Sequence, residues 1–245
     1  MNDPTGSAIR SEIEEQIRSR ERQQEGEKGS EEPGPDEPQS GQPDPSEPAV
    51  VLLPGFSESF VSLLSEDEQA EALAMNEQGF VYYRQNWSTL KDLPYGSDGL
   101  QFGMCGCGPT CVAEVVSTLA GVELTPDQVR EKAIASYAVL ENGATGYGFI
   151  VKTIQSYGIH AEEHFIFEKE SALRALSEGA ILFITVGSGD FTLGSHFMLV
   201  RGLAESGNVL ISDSYSFDNS MREWDWDELS AQMKNGIWYF SLGEP

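Results

Sequence analysis

The apolar positions of this chain change their spacing twice along its length. Over residues 1–50 they are sparse. Ile9, Ile13 and Ile17 recur every four residues among Glu, Arg and Gln, a narrow stripe that predicts a short, marginal helix. From Ala49 onward the spacing is that of a packed domain. Residues 58–78 read as helix, broken at Ser65, which can cap a second helix beginning Ser-Glu-Asp-Glu. The aromatic stretch Phe80–Tyr83 follows Gly79, and turn-prone residues then lead to an apolar helix over 109–120. That helix has Pro109 in its first turn and Gly121 just past its end. Thr125 and Pro126 open another helix reaching about Ala138, and residues 147–157 and 169–178 predict two more. The last third changes to short apolar runs at 181–186, 196–200, 208–213 and 237–240, read as strands, with a helix over 225–234 between the last two. Helices come first and closely spaced, antiparallel strands follow, so the predicted class is α+β.

Composition divides the chain at the same place. Residues 1–50 hold 13 acidic and 5 basic side chains, seven of the twelve prolines and no aromatic residue. The stretch 30–48 cannot bury enough apolar surface to offset the entropy of ordering it, which predicts a disordered acidic tether. The expected organisation is therefore a tether over 1–50 and one domain over 51–245. The net charge of −25 repels phosphate backbones and excludes nucleic acid as a natural partner, while favouring basic peptides. No apolar run reaches the length of a membrane span, and no signal-peptide pattern follows Met1. A Pro/Glu/Ser-rich stalk ahead of a folded domain commonly holds that domain off a surface. The expected setting is accordingly the cell surface or the exterior, with the cytoplasm as the alternative, and the expected state a monomer.

The chemistry concentrates around three cysteines, Cys105, Cys107 and Cys111, with no fourth elsewhere to form a long-range disulfide framework. Cys107 stands in Gly106-Cys107-Gly108-Pro109-Thr110, directly before the apolar helix. A thiol there meets unpaired amides and the positive end of the macrodipole, which lower a thiol pKa from about 8.5 towards neutrality or below. A nucleophile of this kind needs a base, and the chain offers three histidines. His196 opens a predicted strand after a Gly-Ser turn, whereas His160 and His164 lie in a polar stretch between elements. His196 is therefore the expected base. Asp213, seventeen residues on, ends the next predicted strand and is the expected acceptor orienting the imidazole. Gln101, six residues before Cys107, can add a side-chain amide to the backbone N–H of Cys107 in an oxyanion hole.

With these residues in view, the segment Gln101–Gly121 resembles the active-site segment of the bacteriocin-processing (double-glycine leader) peptidase-like branch of the papain-like cysteine peptidases. The resemblance extends through Tyr157-Gly158-Ile159, Gly194–Phe197, Ile211–Asp213 and Asn219–Trp224, roughly residues 80–242. It implies a papain-like fold, thiol-dependent cleavage of a peptide or isopeptide bond in a peptide or protein substrate, and no cofactor. It also implies the roles just named for Gln101, Cys107, His196 and Asp213. Many relatives have proline after the aspartate, where this chain has Ser214.

Other readings of the same residues remain. Transglutaminase-like and cell-wall amidase domains use similar Cys-His-acid sets, with an amine or water resolving the acyl-enzyme. A domain that kept the fold and lost turnover would bind peptides only. Cys105-x-Cys107-x3-Cys111 could be read as a metal cluster, but no second Cys/His pair stands at a familiar spacing. Cys111 reads better as a core residue, and Cys105 as a spectator or as a reversible disulfide partner of Cys107. Phe80–Tyr83, Trp87, Tyr215 and Phe217 are candidates for a cleft wall, or for ordinary core.

Overall fold

The computed structural model describes residues 51–97, 99–165 and 168–243. The acidic tether and its marginal helix at 1–50 lie outside the described residues.

The chain enters through a short helix α1 (Glu58–Val61) and α2 (Glu66–Glu77). Ser65 separates them and forms the capping box expected of it, its hydroxyl accepting from the Glu68 N–H while the Glu68 side chain accepts from the Ser65 N–H. After an irregular segment with turns over 85–93 come the single turn α3 (Phe102–Cys105) and the apolar helix α4 (Cys107–Leu119). Next are α5 (Pro126–Ala135), with Pro at its start and a Thr125/Gln128 capping box, and α6 (Tyr147–Gln155). The rest is β1 (Ile159–His164), α7 (Lys169–Ser177), β2 (Ile181–Val186), β3 (His196–Leu203) and β4 (Val209–Ser212). It continues with α8 (Phe217–Met221), β5 (Glu223–Trp224), α9 (Trp226–Ser230) and β6 (Met233–Leu242).

The six strands form one antiparallel sheet in the order β1-β6-β2-β3-β4-β5. Alternate residues of its central strands serve two different cores. Phe183, Phe197, Leu199 and Phe240 face a core shared with Val112, Ala113, Val115 and Val116 of α4. Leu182, Ile184, Met198, Val200 and Tyr239 face a second core with Leu176 of α7 and Trp226 and Leu229 of α9. A strand covered on both faces has no polar side, which is why β2 is apolar but for Thr185, whose buried hydroxyl is hydrogen-bonded with that of Tyr147 at 2.8 Å. The α+β class and the packing of N-terminal helices on a C-terminal antiparallel sheet are as expected.

Two elements differ from their sequence reading. The helix predicted over 225–234 stops at Ser230, and Met233 already belongs to β6. The polar stretch carrying His160 and His164 is not a connection but the edge strand β1, paired with β6 from Ile159 opposite Leu242 to His164 opposite Ile237. An edge strand can be mostly polar, and charged side chains there discourage further pairing, so the composition hid it. Of the two roles open to the aromatic stretch Phe80–Tyr83 and to Trp87, cleft wall or ordinary core, the structure gives the core: all are buried in the first cluster.

Candidate active site

Helix α4 starts at Cys107 itself, with Gly106 as its N-cap. The turn is tight on both sides of the thiol. A methyl on Gly106 would meet the Phe102 ring at 2.5 Å, and one on Gly108 would lie 2.5 Å from Thr145 Oγ1. Thr145 is itself fixed by a 2.7 Å hydrogen bond with the buried Tyr95 hydroxyl. The half-buried Cys107 thiol therefore stands at the helix N-terminus with backbone packed closely around it.

His196 is the first residue of β3 and Asp213 the first beyond β4, and these strands pair directly, Leu199 opposite Ser212. The imidazole Nε2 lies 2.8 Å from Asp213 Oδ1, both side chains buried. An ionised carboxylate only accepts, so Nε2 carries the proton and Nδ1 is the ring nitrogen left for Cys107. Asp213 accepts two further bonds, 2.9 Å from the Tyr215 N–H to Oδ1 and 2.9 Å from Asn219 Nδ2 to Oδ2. The backbone of Asp213 is held too: its N–H donates to Ser220 Oγ at 2.9 Å and its carbonyl accepts from the Tyr82 hydroxyl at 3.0 Å.

The ionisation of the three groups is linked. Burial would raise the Cys107 thiol, but the hydrogen bond and positive charge of His196, with the Phe197 and Gly108 amides, bring it below its ordinary value. Burial would likewise lower His196, yet Asp213 and Cys107 together raise it to about 10. Burial would raise Asp213, and His196, Asn219 and the Tyr215 amide hold it below the usual carboxylate range. Each direction favours a thiolate–imidazolium pair beside an ionised carboxylate.

The thiol opens into a recess of about 240 Å³ lined by Met104, Cys105, Asn142–Ala144 and Ser195–Phe197. One wall is a small hairpin in which Val139 bridges Thr145 and Leu140 N–H donates to the Ala144 carbonyl at 2.9 Å. Asn142-Gly143 at its tip, with Gly143 at φ +79°, was the available sequence signal for this turn. A larger hollow of about 650 Å³ lies beside α5 and α6, lined among others by Lys132, Tyr137 and Lys152. Cys107, His196 and Asp213 do not line it, so size does not locate the candidate site here.

Of the four residues singled out by sequence, Cys107, His196 and Asp213 are brought together. Gln101 stands exposed at the N-cap of α3, makes no side-chain hydrogen bond among the described residues, and does not line the recess. His160 and His164 lie apart on β1, where His164 stacks on Tyr239. Cys111 is buried, its thiol 3.6 Å from the Phe197 carbonyl, and no group of three His, Cys, Asp or Glu among the described residues is arranged to hold a metal. Tyr215 and Phe217 line a different hollow, with Glu71 and Arg84. Asn219 was missed as a partner of Asp213. Its local sequence shows only a short capped turn, and its distance from the carboxylate depends on how α8 folds back.

A papain-like fold with a cysteine at the start of its central helix and a His–Asp pair on the adjoining strands defines a class, the cysteine peptidases. The chain belongs to the Peptidase_C39 like family, whose model matches residues 77–239. Similar solved structures include the peptidase domain of Streptococcus ComA, a bifunctional ABC transporter in a quorum-sensing pathway, at 14% identity, covering 56% of this chain and 92% of that one, TM-score 0.44. A double-glycine-motif protease from an AMS/PCAT transporter, solved with its leader peptide, is 17% identical over 55% of this chain and 82% of that one, TM-score 0.38. A protein described as a C39-like peptidase from Bacillus anthracis is 15% identical over 64% of this chain and 92% of that one, TM-score 0.38. No curated protein matches the chain.

Proposed function

We propose that the chain is a thiol-dependent peptidase in which Cys107 is the nucleophile, His196 the acid–base and Asp213 the orienting carboxylate. The observation that carries this reading is the buried 2.8 Å His196–Asp213 pair beside a thiol at a helix N-terminus. The Cys107 thiolate attacks the substrate carbonyl carbon, and the carbonyl electron pair moves to oxygen. The backbone N–H of Cys107 donates to that oxyanion. Gln101, which stands exposed outside the recess, is assigned the second donor from its position six residues before Cys107 and would have to swing its side-chain amide in when substrate binds. His196 Nδ1–H gives its proton to the departing amine as the C–N bond breaks, leaving a thioester. Water then attacks the thioester, His196 takes its proton, and the acid leaves as the thiolate re-forms. Throughout, Asp213 keeps the proton on Nε2 and stabilises the imidazolium. Substrates are peptides or proteins reaching Cys107 by the recess between Met104 and the 139–145 hairpin.

Alkylation by iodoacetamide across pH, with mapping of the adduct, tests the pair. Cys107 is expected to react selectively well below pH 8, and His196→Ala to remove that acid-shifted reactivity. Reaction of Cys107 no faster than Cys105 would overturn the reading. Gln101→Ala is expected to leave alkylation intact while lowering acyl transfer about 10²–10³-fold, as for loss of one oxyanion donor.

A further inference from the structure

Segment 82–86 runs against the loop that follows β4, and one residue in it has no place in the mechanism above. Gln85 is polar yet only 1% exposed. Its N–H donates to the Ser214 carbonyl at 2.9 Å, and its Oε1 accepts from the Ser214 hydroxyl at 2.9 Å. Its Nε2 donates in the opposite direction, to the Gly103 carbonyl at 3.0 Å. Ser214 follows Asp213 directly, and Gly103 lies in α3, two residues beyond Gln101. One side chain thus spans the acid loop and the turn between Gln101 and Cys107.

Both segments are short and are held in part by residues outside them. The acid loop lies outside regular structure between β4 and α8. Its neighbour Tyr215, whose N–H caps Asp213, has its carbonyl held by Arg84 at 3.3 Å and Asn86 at 3.2 Å. Helix α3 is a single turn, too short to be stable alone, and is pinned by the Gly103 N–H to the Lys91 carbonyl and the Phe102 N–H to the Leu93 carbonyl. A buried amide is costly unless it is bonded, and these bonds are made to the two segments the reaction must keep in register. An apolar residue of equal volume would fill the space but leave the Ser214 hydroxyl and the Gly103 carbonyl without this partner.

We infer that Gln85 is a positioning residue that ties the loop of Asp213 to the turn of Gln101, so that the acid and oxyanion sides of the site keep one geometry. This rests on the triad reading above. Loosening Gln85 then acts on two separate quantities. The Asp213–His196 contact governs how far the Cys107 thiolate persists at low pH. The place of Gln101 governs how well the oxyanion is met.

Gln85→Met, similar in volume and unable to make either side-chain bond, separates these from stability. Two probes are used on the full chain: iodoacetamide, which needs the thiolate only, and p-nitrophenyl acetate, whose acylation burst also needs the oxyanion site. The variant is expected to lose alkylation at pH 6 relative to pH 9, and to lose a further factor of about ten or more in the ratio of acylation to alkylation, the scale of a small misplacement. Ser214→Ala, which removes the acid arm alone, is expected to move the pH profile and spare the ratio. It carries the test if Gln85→Met does not fold. A lowered melting temperature with both readouts unchanged would mean that Gln85 only packs, and the inference fails. If the wild type shows no acid-shifted alkylation, or Asp213→Asn leaves it unmoved, the triad reading itself fails and takes this one with it.

Discussion

Asp213 carries more of its surroundings than any other side chain of the site. Its two oxygens accept from His196, the Tyr215 N–H and Asn219, and its backbone is tied to Ser220 and Tyr82. Removing the Asn219 donor should raise the Asp213 pKa, because a bond to the charged form favours that form. Asn219→Ala is accordingly expected to move the acid limb of the Cys107 alkylation profile to higher pH, and to lower stability by about 1.5–3 kcal/mol in denaturant titration, as for a bond to a charged group. On the other side of the site, Gly108→Ala would place a methyl 2.5 Å from Thr145 Oγ1. The expected cost is about 1–3 kcal/mol by the same titration, with slower alkylation because the hairpin wall must shift.

Among the elements, α4 both presents Cys107 and anchors the loop of Asp213. Seven residues after Cys107, Glu114 is fully buried and receives the Tyr83 N–H at 3.0 Å and the Ser212 hydroxyl at 3.0 and 3.1 Å to its two oxygens. It thereby joins the helix to the last residue of β4, directly before Asp213. Burial pushes its carboxyl up from 4.5 to about 8, against the Tyr83 amide and Ser212 hydroxyl bonds, which favour ionisation, with nearby Asp213 adding to the rise and Arg201 opposing it. The folded state therefore holds a proton that the unfolded chain releases near pH 4.5. Between about 4.5 and 8 this group's contribution to stability falls as pH rises, and above 8 the loss is complete. Glu114→Gln keeps a neutral hydrogen-bonding group there, so its melting temperature should fall less than that of the wild type between pH 5 and pH 8. His196 behaves in the complementary range. Its stabilisation is present below its unfolded pKa near 6.5 and is lost as pH rises through about 10.

For the molecule as a whole, charge matters more than any one contact. Residues 51–245 alone carry 27 acidic and 10 basic side chains, so the domain is strongly anionic even without its first fifty residues. Such a field favours approach of cationic peptides to the domain and is screened over about 10 Å at 0.1 M salt. Cleavage of Lys/Arg-rich peptides should therefore lose kcat/KM as salt is raised from 20 to about 300 mM, while neutral peptides of equal length change little. Equal salt dependence for both would show that the charge serves solubility and not capture.

The residues to which the chemistry is assigned were legible because chain order alone announces them. A cysteine flanked by glycines ahead of an apolar helix, a histidine opening a strand and an aspartate closing the next each sit at an element boundary. Local pattern also determined the α+β class, the capped starts of α2 and α5 and the doubly buried β2, since capping and periodicity act within a few residues. What only the tertiary structure decided is everything that depends on distant segments meeting. The strand β1 is recognisable as a strand only once β6 lies beside it. The aromatic run Phe80–Tyr83 could have walled a cleft or filled a core, and burial against α4 decided for the core. Asn219 reaches Asp213, and Gln85 joins Ser214 to Gly103, across separations that no periodicity records. A hydrogen bond between far-apart residues is specified by the packing of the whole domain, so its partners can be named only after that packing is known.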